Sequence, residues 1–208
     1  MGKGFNKLLL PLGGVTLLEC TLRLFAGCPW IKEVFLVVQE SDRLEIEAIA
    51  APYGVRLVQG GNTRQDSVSR GLEQVETPFV LVHDGARPLV SPEKILEVAE
   101  AARRNEAAIL AIPIKDTVTR VSEGLITGTI PREGLWAAQT PQAFRTVLLR
   151  EAIRKAAQEL FEGTDEASLV ERLGHRIAVV EGSERNLKVT TPMDLLIAEH
   201  IMNQRGAR

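Results

Sequence analysis

The densest chemistry in this sequence lies in FVLVHDGARPLV, residues 79–90, where four apolar residues run into His83-Asp84-Gly85-Ala86-Arg87-Pro88. The apolar stretch reads as a short strand buried on both faces, because a solvated strand would alternate with polar residues. The small and rigid residues after it turn the chain sharply, leaving one carboxylate and one guanidinium at the strand's carboxyl end. Open parallel sheets bind their ligands at that edge. Asp84 there suits a hard cation such as Mg²⁺, and Arg87 suits a phosphate gripped by a planar fork of donors. A surface turn closed by an Asp84–Arg87 ion pair accounts for the same residues.

Two other stretches carry donors. Residues 60–67, GGNTRQDS, place two glycines and several polar side chains between a strand and a helix, on the same edge as Asp84; a plain glycine turn is the more common meaning of such a stretch. Lys188 stands between Leu187 and Val189 and projects to the face opposite them, either to a ligand or simply outward into water. In residues 163–166, Thr164 reads as a helix cap and the two acids as complements to the helix's positive end.

The elements that must position these groups follow a βαβ rhythm. Residues 16–26 predict a first helix, 34–38 a buried strand, 41–51 a helix capped by Ser41, and 55–58 another strand. A helix to about residue 75, the 79–82 strand, a helix over 91–105 capped by Ser91, and a strand over 107–112 come next. The pattern then changes. Residues 114–134 alternate polar with β-branched residues and turn at Glu123-Gly124, which predicts a two-stranded arm. An isolated hairpin is marginal in water, so the arm is expected to dock, most economically on a second copy of the chain. Residues 136–144 return to the core, followed by helices over 146–160 and 165–173, a strand over 177–180 and a closing helix from Pro192.

Composition narrows the class. At 208 residues the chain fits one domain, residues 1–208, with an arm over 114–134. Its 25 Lys+Arg against 27 Asp+Glu give no basic field for nucleic acid or anionic membrane. Cys20 and Cys28 form no CxxC pair and share no metal-ligand spacing with the histidines, which points to a reduced, cytoplasmic setting. The amino terminus lacks the apolar core and cleavage site of a signal peptide, and no apolar run is long enough to span a membrane.

The order and wording of these segments resemble one family over nearly the whole chain, the 2-C-methyl-D-erythritol 4-phosphate cytidylyltransferases of the non-mevalonate isoprenoid route. The resemblance is carried by NKLLLPLGG, GGNTRQDSV, LVHDGARP, PIKDTVTRV, REGLWAAQTPQAF, GTDEASLVE and EGSERNLKVTTPMDL. It implies an α/β, Rossmann-like nucleotidyltransferase fold with a mostly parallel sheet, a homodimer joined by the arm, and transfer of CMP from CTP to a sugar-alcohol phosphate. It also implies roles residue by residue. Lys7 and Lys188 would neutralise the triphosphate, Asp84 would hold Mg²⁺, and Gly61, Asn62 and Ser67 would contact cytosine and ribose. Arg87 and Thr140 would line the acceptor pocket, while Thr117 and Arg132 on the arm would hold the acceptor's phosphate from the partner subunit.

Two departures stand out. The family opens with a strand and a loop of the form PAAGxGxRMG, of which Met1-Gly2 matches only the tail, so the expectation is a chain lacking that strand and loop and binding CTP poorly. Asn62 stands where many relatives carry an acid. A relative that uses ribitol 5-phosphate shares HDGARP, QTPQ and the lysine motif, and a non-catalytic dimer of this fold is the more distant alternative.

Overall fold

The structure is a computed structural model that describes residues 6–206; Met1-Gly2 lies outside them. A single 3-10 turn, Lys7–Leu9, and a two-residue β-bridge, β1 (Pro11–Leu12) with β2 (Val15–Thr16), lead into α1 (Leu17–Ala26), capped by the Thr16 hydroxyl at the Glu19 amide. Strand β3 (Phe35–Val38), helix α2 (Arg43–Ala50), strand β4 (Arg56–Gln59) and helix α3 (Arg64–Glu73) follow. Ser41 does not cap α2. It lies in a 3-10 turn, Glu40–Asp42, and Asp42 precedes the helix without a side-chain bond to it.

Strand β5 (Phe79–Val82) comes next, then α4 (Pro92–Asn105), β6 (Ala107–Pro113), the arm strands β7 (Val118–Ser122) and β8 (Leu125–Ile130), and the long β9 (Trp136–Arg145). Helices α5 (Thr146–Gln158) and α6 (Glu166–Arg172), strand β10 (Ala178–Glu181) and helix α7 (Pro192–Gly206) complete the chain. The α6 cap is Asp165 rather than Thr164: Asp165 accepts from the Ser168 amide, and Ser168 Oγ receives the Asp165 N–H in return.

The main sheet has the order β10-β6-β9-β5, with β3 and β4 as a separate parallel pair. Strands β10 and β6 are parallel, while β9 runs against both β6 and β5. A mostly parallel sheet thus describes the direction of β5, β6 and β10 but not their pairings, because β9 is reversed between them. Strand β5 is an edge strand, and its four residues are part-buried, not enclosed on both faces as the apolar run suggests. Full enclosure falls instead on β6, where Ala107, Ala108 and Leu110 have no exposed surface.

Two cores flank the sheet. On one side Phe144, Leu149, Ala152 and Val170 pack with Leu72 and reach Phe35, Val80 and Val82; on the other Ile95, Val98 and Ala102 pack with Phe25 and Leu110. Each large apolar side chain fully buried in this way contributes roughly 1.5–3 kcal/mol over exposure. This packing fixes the β9 register, which puts Val82 opposite Gln142 and so carries Asp84 toward Thr140. The pairing of β9 with β6 then skips: Ile109 faces Gln142 and Leu110 faces Gln139, leaving Thr140 and Pro141 without a β6 partner. Pro141 has no N–H for the ladder, which is the local reason for a bulge here.

The arm is built as its sequence predicts. Glu123 and Gly124 both take positive φ, 51° and 79°, the requirement of a tight two-residue hairpin turn. Its tip exposes Val121, Leu125 and Ile126.

Candidate functional site

Asp84 sits at the centre of a cavity of about 270 Å³ whose walls include Arg64, Arg87, Gln139, Thr140 and Lys188. Three cations converge on its carboxylate. Lys188 Nζ is 2.9 Å from Oδ2, Arg87 Nε is 3.6 Å from Oδ2, and Arg64 Nη2 is 3.8 Å from Oδ1. Burial disfavours the charge on Asp84, but Lys188, Arg64 and Arg87 outweigh it and hold the carboxyl below its usual range. The ion-pair reading and the ligand reading of the Asp84–Arg87 turn therefore meet, since the pair exists and lines a cavity.

The turn is fastened from several directions. The Arg87 amide donates to Asp84 O at 3.0 Å, and Thr21 Oγ1 donates to Gly85 O at 2.9 Å. The Asp84 amide donates to Thr140 Oγ1 at 3.0 Å. Arg87 Nη1 donates to Asn186 O at 2.7 Å, and the Val189 amide donates to Ala86 O at 2.8 Å. These last two bonds flank Lys188 and bring it to Asp84 across 104 residues of sequence (188 − 84). Arg87 Nε is left without a hydrogen-bond partner although it is buried, and burial pulls its pKa down. That N–H points at Asp84 Oδ2, 3.6 Å away, and is held in the ion pair.

The β9 bulge supplies the floor. Gln139 donates to Ser183 O at 2.9 Å and accepts from the Asn186 side-chain amide at 3.2 Å, tying β9 to the loop that carries Lys188. A side chain at Gly182 would collide with Gln139 Oε1, so this loop approaches β9 as closely as only glycine permits. Gln142, 1% exposed, donates to Asp165 Oδ2 at 2.7 Å and accepts from the Ala167 amide at 3.0 Å, which seats the start of α6 on the cavity's rim.

Sequence reasoning missed Arg64, Gln139, Gln142, Asp165 and Glu166. Arg64 opens α3 and makes a two-pronged contact with Glu166, at 2.6 and 2.8 Å, while facing Asp84. Burial works against the Arg64 charge, yet Glu166, Asp84 and Asp165 raise its pKa overall. Glu166 is 1% exposed, so it serves as a fixed carboxylate counterweight as well as a helix-dipole acid. The available signals were two polar pairs, Arg64-Gln65 and Asp165-Glu166, each at the first turn of a helix; nothing local announces that they meet.

The other expected residues are placed as follows. Ser67 Oγ accepts from the Gly61 amide at 3.1 Å and donates to Thr63 O at 2.9 Å, closing the glycine loop onto α3, whose Thr63 and Asp66 form a reciprocal cap. A Cβ on Gly61 would strike Asp66. Asn62 is exposed beside them. Lys7 lies in the 3-10 turn whose Leu8 packs near Gly85, so it is adjacent to the Asp84 turn without lining the cavity. Thr117 and Arg132 lie on the arm, outside the cavity walls; Arg132 Nη1 is bonded to Lys115 O, and Lys115 pairs with Glu184. The four groups brought together are thus Asp84, Arg87, Thr140 and Lys188.

No cluster of three or more His, Cys, Asp or Glu suited to a metal occurs among the described residues. The cavity is lined by two carboxylates, Asp84 and Asp165, and Asp84 fits Mg²⁺ that arrives on a polyphosphate, since that ion keeps its waters and takes one or two carboxylates with phosphate oxygens. No helix among the described residues is long and apolar enough to cross a membrane.

Comparison with known proteins gives a consistent answer. The family model for 2-C-methyl-D-erythritol 4-phosphate cytidylyltransferase matches residues 1–204. The enzymes of that name from Bacillus cytotoxicus and Halalkalibacterium halodurans are 46% and 44% identical, covering 98% and 100% of this chain and 92% and 93% of their own. The crystal structure of the Thermus thermophilus enzyme superposes with a TM-score of 0.84 at 40% identity, over 95% of this chain and 94% of its own. The 4-diphosphocytidyl-2C-methyl-D-erythritol synthase of Anaerococcus prevotii superposes with a TM-score of 0.88 at 32% identity, over 97% and 92%.

Proposed function

The chain belongs to the 2-C-methyl-D-erythritol 4-phosphate cytidylyltransferase family, and we propose that the residues around Asp84 carry that family's reaction. The reaction is transfer of CMP from CTP to 2-C-methyl-D-erythritol 4-phosphate. An oxygen of the acceptor's phosphate attacks the α-phosphorus of CTP; a new P–O bond forms, the bond from the α-phosphorus to its bridging oxygen breaks, and pyrophosphate leaves with the electron pair. The product is 4-diphosphocytidyl-2-C-methyl-D-erythritol, a precursor for isoprenoids. Both reactants are anionic, so the site needs no covalent nucleophile, only cations and donors held where charge accumulates.

The observation that carries this reading is the convergence of Lys188, Arg87 and Arg64 on one part-buried carboxylate in a cavity. Lys188, with Lys7 beside the turn, neutralises the triphosphate. Arg87 and Thr140 line the acceptor's side of the same pocket. Gly61, Asn62 and Ser67 contact the nucleoside. Asp84 would hold Mg²⁺, which when bound offsets phosphate charge and aligns the phosphates. Replacing Lys188 and Arg64 as the partners of Asp84 would release both cations to phosphate oxygens.

The chain works in this reading as one domain whose arm reaches a second copy, with Thr117 and Arg132 closing the partner's acceptor pocket. The exposed apolar tip of the arm supports that docking, and the near-balanced charge and two buried free cysteines are in keeping with a cytoplasmic enzyme. The test is pyrophosphate release from CTP, Mg²⁺ and 2-C-methyl-D-erythritol 4-phosphate, with ribitol 5-phosphate as the competing acceptor. Turnover selective for the first acceptor is expected; preference for the second, or CTP binding without turnover, would overturn the assignment.

A further inference from the structure

We propose that His83 is a positioning residue for this reaction: with its proton on Nε2, one imidazole clamps both ends of the Asp84–Arg87 turn and so sets the metal-binding carboxylate and the acceptor-binding guanidinium through separate bonds. The proposal rests on the roles given above to Asp84 and Arg87. The geometry is bipartite. His83 Nε2 lies 3.0 Å from Arg87 O, and Nδ1 lies 3.0 Å from Thr140 Oγ1.

Donor counting assigns every proton. A carbonyl oxygen only accepts, so Nε2 carries hydrogen and donates to Arg87 O. Thr140 Oγ1 receives the Asp84 N–H, and in the neutral ring, whose one proton is on Nε2, Nδ1 is bare and takes the Thr140 hydroxyl proton. The result is a directed chain, from the Asp84 amide to Thr140 to His83 to the Arg87 carbonyl, with no donor facing a donor. The ring is also held by packing: Phe25 sits 4.7 Å away between ring centroids.

The two halves of the clamp serve different groups. The Nδ1 bond holds Thr140, which holds the backbone of Asp84; the Nε2 bond holds the carbonyl of Arg87, whose side chain reaches Asn186 O. An Asn amide reaches about as far as Nδ1, and a Gln amide about as far as Nε2. His83→Asn should therefore keep the Asp84 half and lose the Arg87 half, raising the acceptor KM about tenfold while leaving the Mg²⁺ activation constant within about twofold. His83→Gln should do the reverse. A role in folding alone would move both constants together in both variants, or neither, and either result overturns the proposal.

Asp84→Asn and Arg87→Ala serve as controls. If they shift the Mg²⁺ constant and the acceptor KM respectively while the His83 variants shift neither, His83 is no clamp and the site assignment stands. If the controls leave both constants unmoved, the roles of Asp84 and Arg87 fall, and the proposal with them. Should the His83 variants not fold, the native protein decides: ¹⁵N shifts should show a proton on Nε2, and a bare Nε2 would overturn the proposal.

Discussion

The floor of the cavity and the arm are joined end to end, yet they are held in opposite ways. Around Asp84, the side chains of Gln139, Thr140 and Gln142 are each bonded to a second segment of the same chain, and each is at most 5% exposed. On the arm, Val121, Leu125 and Ile126 are more than half exposed, and Arg132 and Lys115 meet only at the arm's root. The floor is organised before any ligand arrives, so its contribution to the reaction is prepaid. The arm has unburied apolar surface and polar side chains outside the cavity, so under the proposed function its contribution depends on a partner.

The largest effect should come from the floor. Lys188→Ala is expected to lower kcat by roughly 10²–10³, the usual loss for one preorganised donor, while the thermal midpoint stays near that of the native chain. A loss below about tenfold would mean that the convergence on Asp84 is structural and the contrast fails. On the arm, Arg132→Ala should raise the acceptor KM by roughly 10–100-fold and leave the CTP KM nearly unchanged. Mixing the two impaired variants at low acceptor concentration sharpens the comparison, because a shared site would regain activity in mixed dimers; equal losses for both substrates, or no recovery on mixing, would count against a site completed by the partner.

The smallest effect lies away from both regions. Asp194, in the first turn of α7, accepts from the Thr190 and Thr191 amides at 2.8 Å each, and those bonds bring its pKa down to about 2. Because the folded pKa is lowered, its stabilisation is complete above the unfolded value near 3.8 and is lost as pH falls toward 2. The group is exposed, so the effect is small. Melting curves of the native protein and Asp194→Asn should differ slightly at about pH 6 and converge near pH 2; a constant offset across that range would show that the charge plays no part.

Much of this was legible beforehand. Helices α1 and α4 have apolar spacing and end signals that agree, α5 has the apolar spacing alone, and the arm has a turn pair that accepts positive φ. The cluster of Asp84, Arg87, Thr140 and Lys188 followed from short segments whose wording resembles the family. The rest was hidden for physical reasons. An apolar run such as Ala143-Phe144 packs equally well in either direction, so the reversal of β9 leaves no trace in composition. Thr164 and Asp165 can both cap, and only the backbone path selects Asp165. The Arg64–Glu166 contact spans 102 residues, and no local periodicity encodes a pairing at that distance.

Strands β6 and β9 flank the arm in sequence and pair directly, from Ala107 with Phe144 out to Pro113 with Trp136, and the Ile114 amide closes on Leu135 O just beyond. The whole arm is therefore a loop on a larger hairpin. It can lengthen, shorten or change its lettering without moving a single rung of the sheet. Divergence in such a fold has an easy route and a hard one: the arm's residues can drift without disturbing the sheet, whereas Gln139, Thr140 and Gln142 are bolted into the ladder and must change together with their partners or not at all.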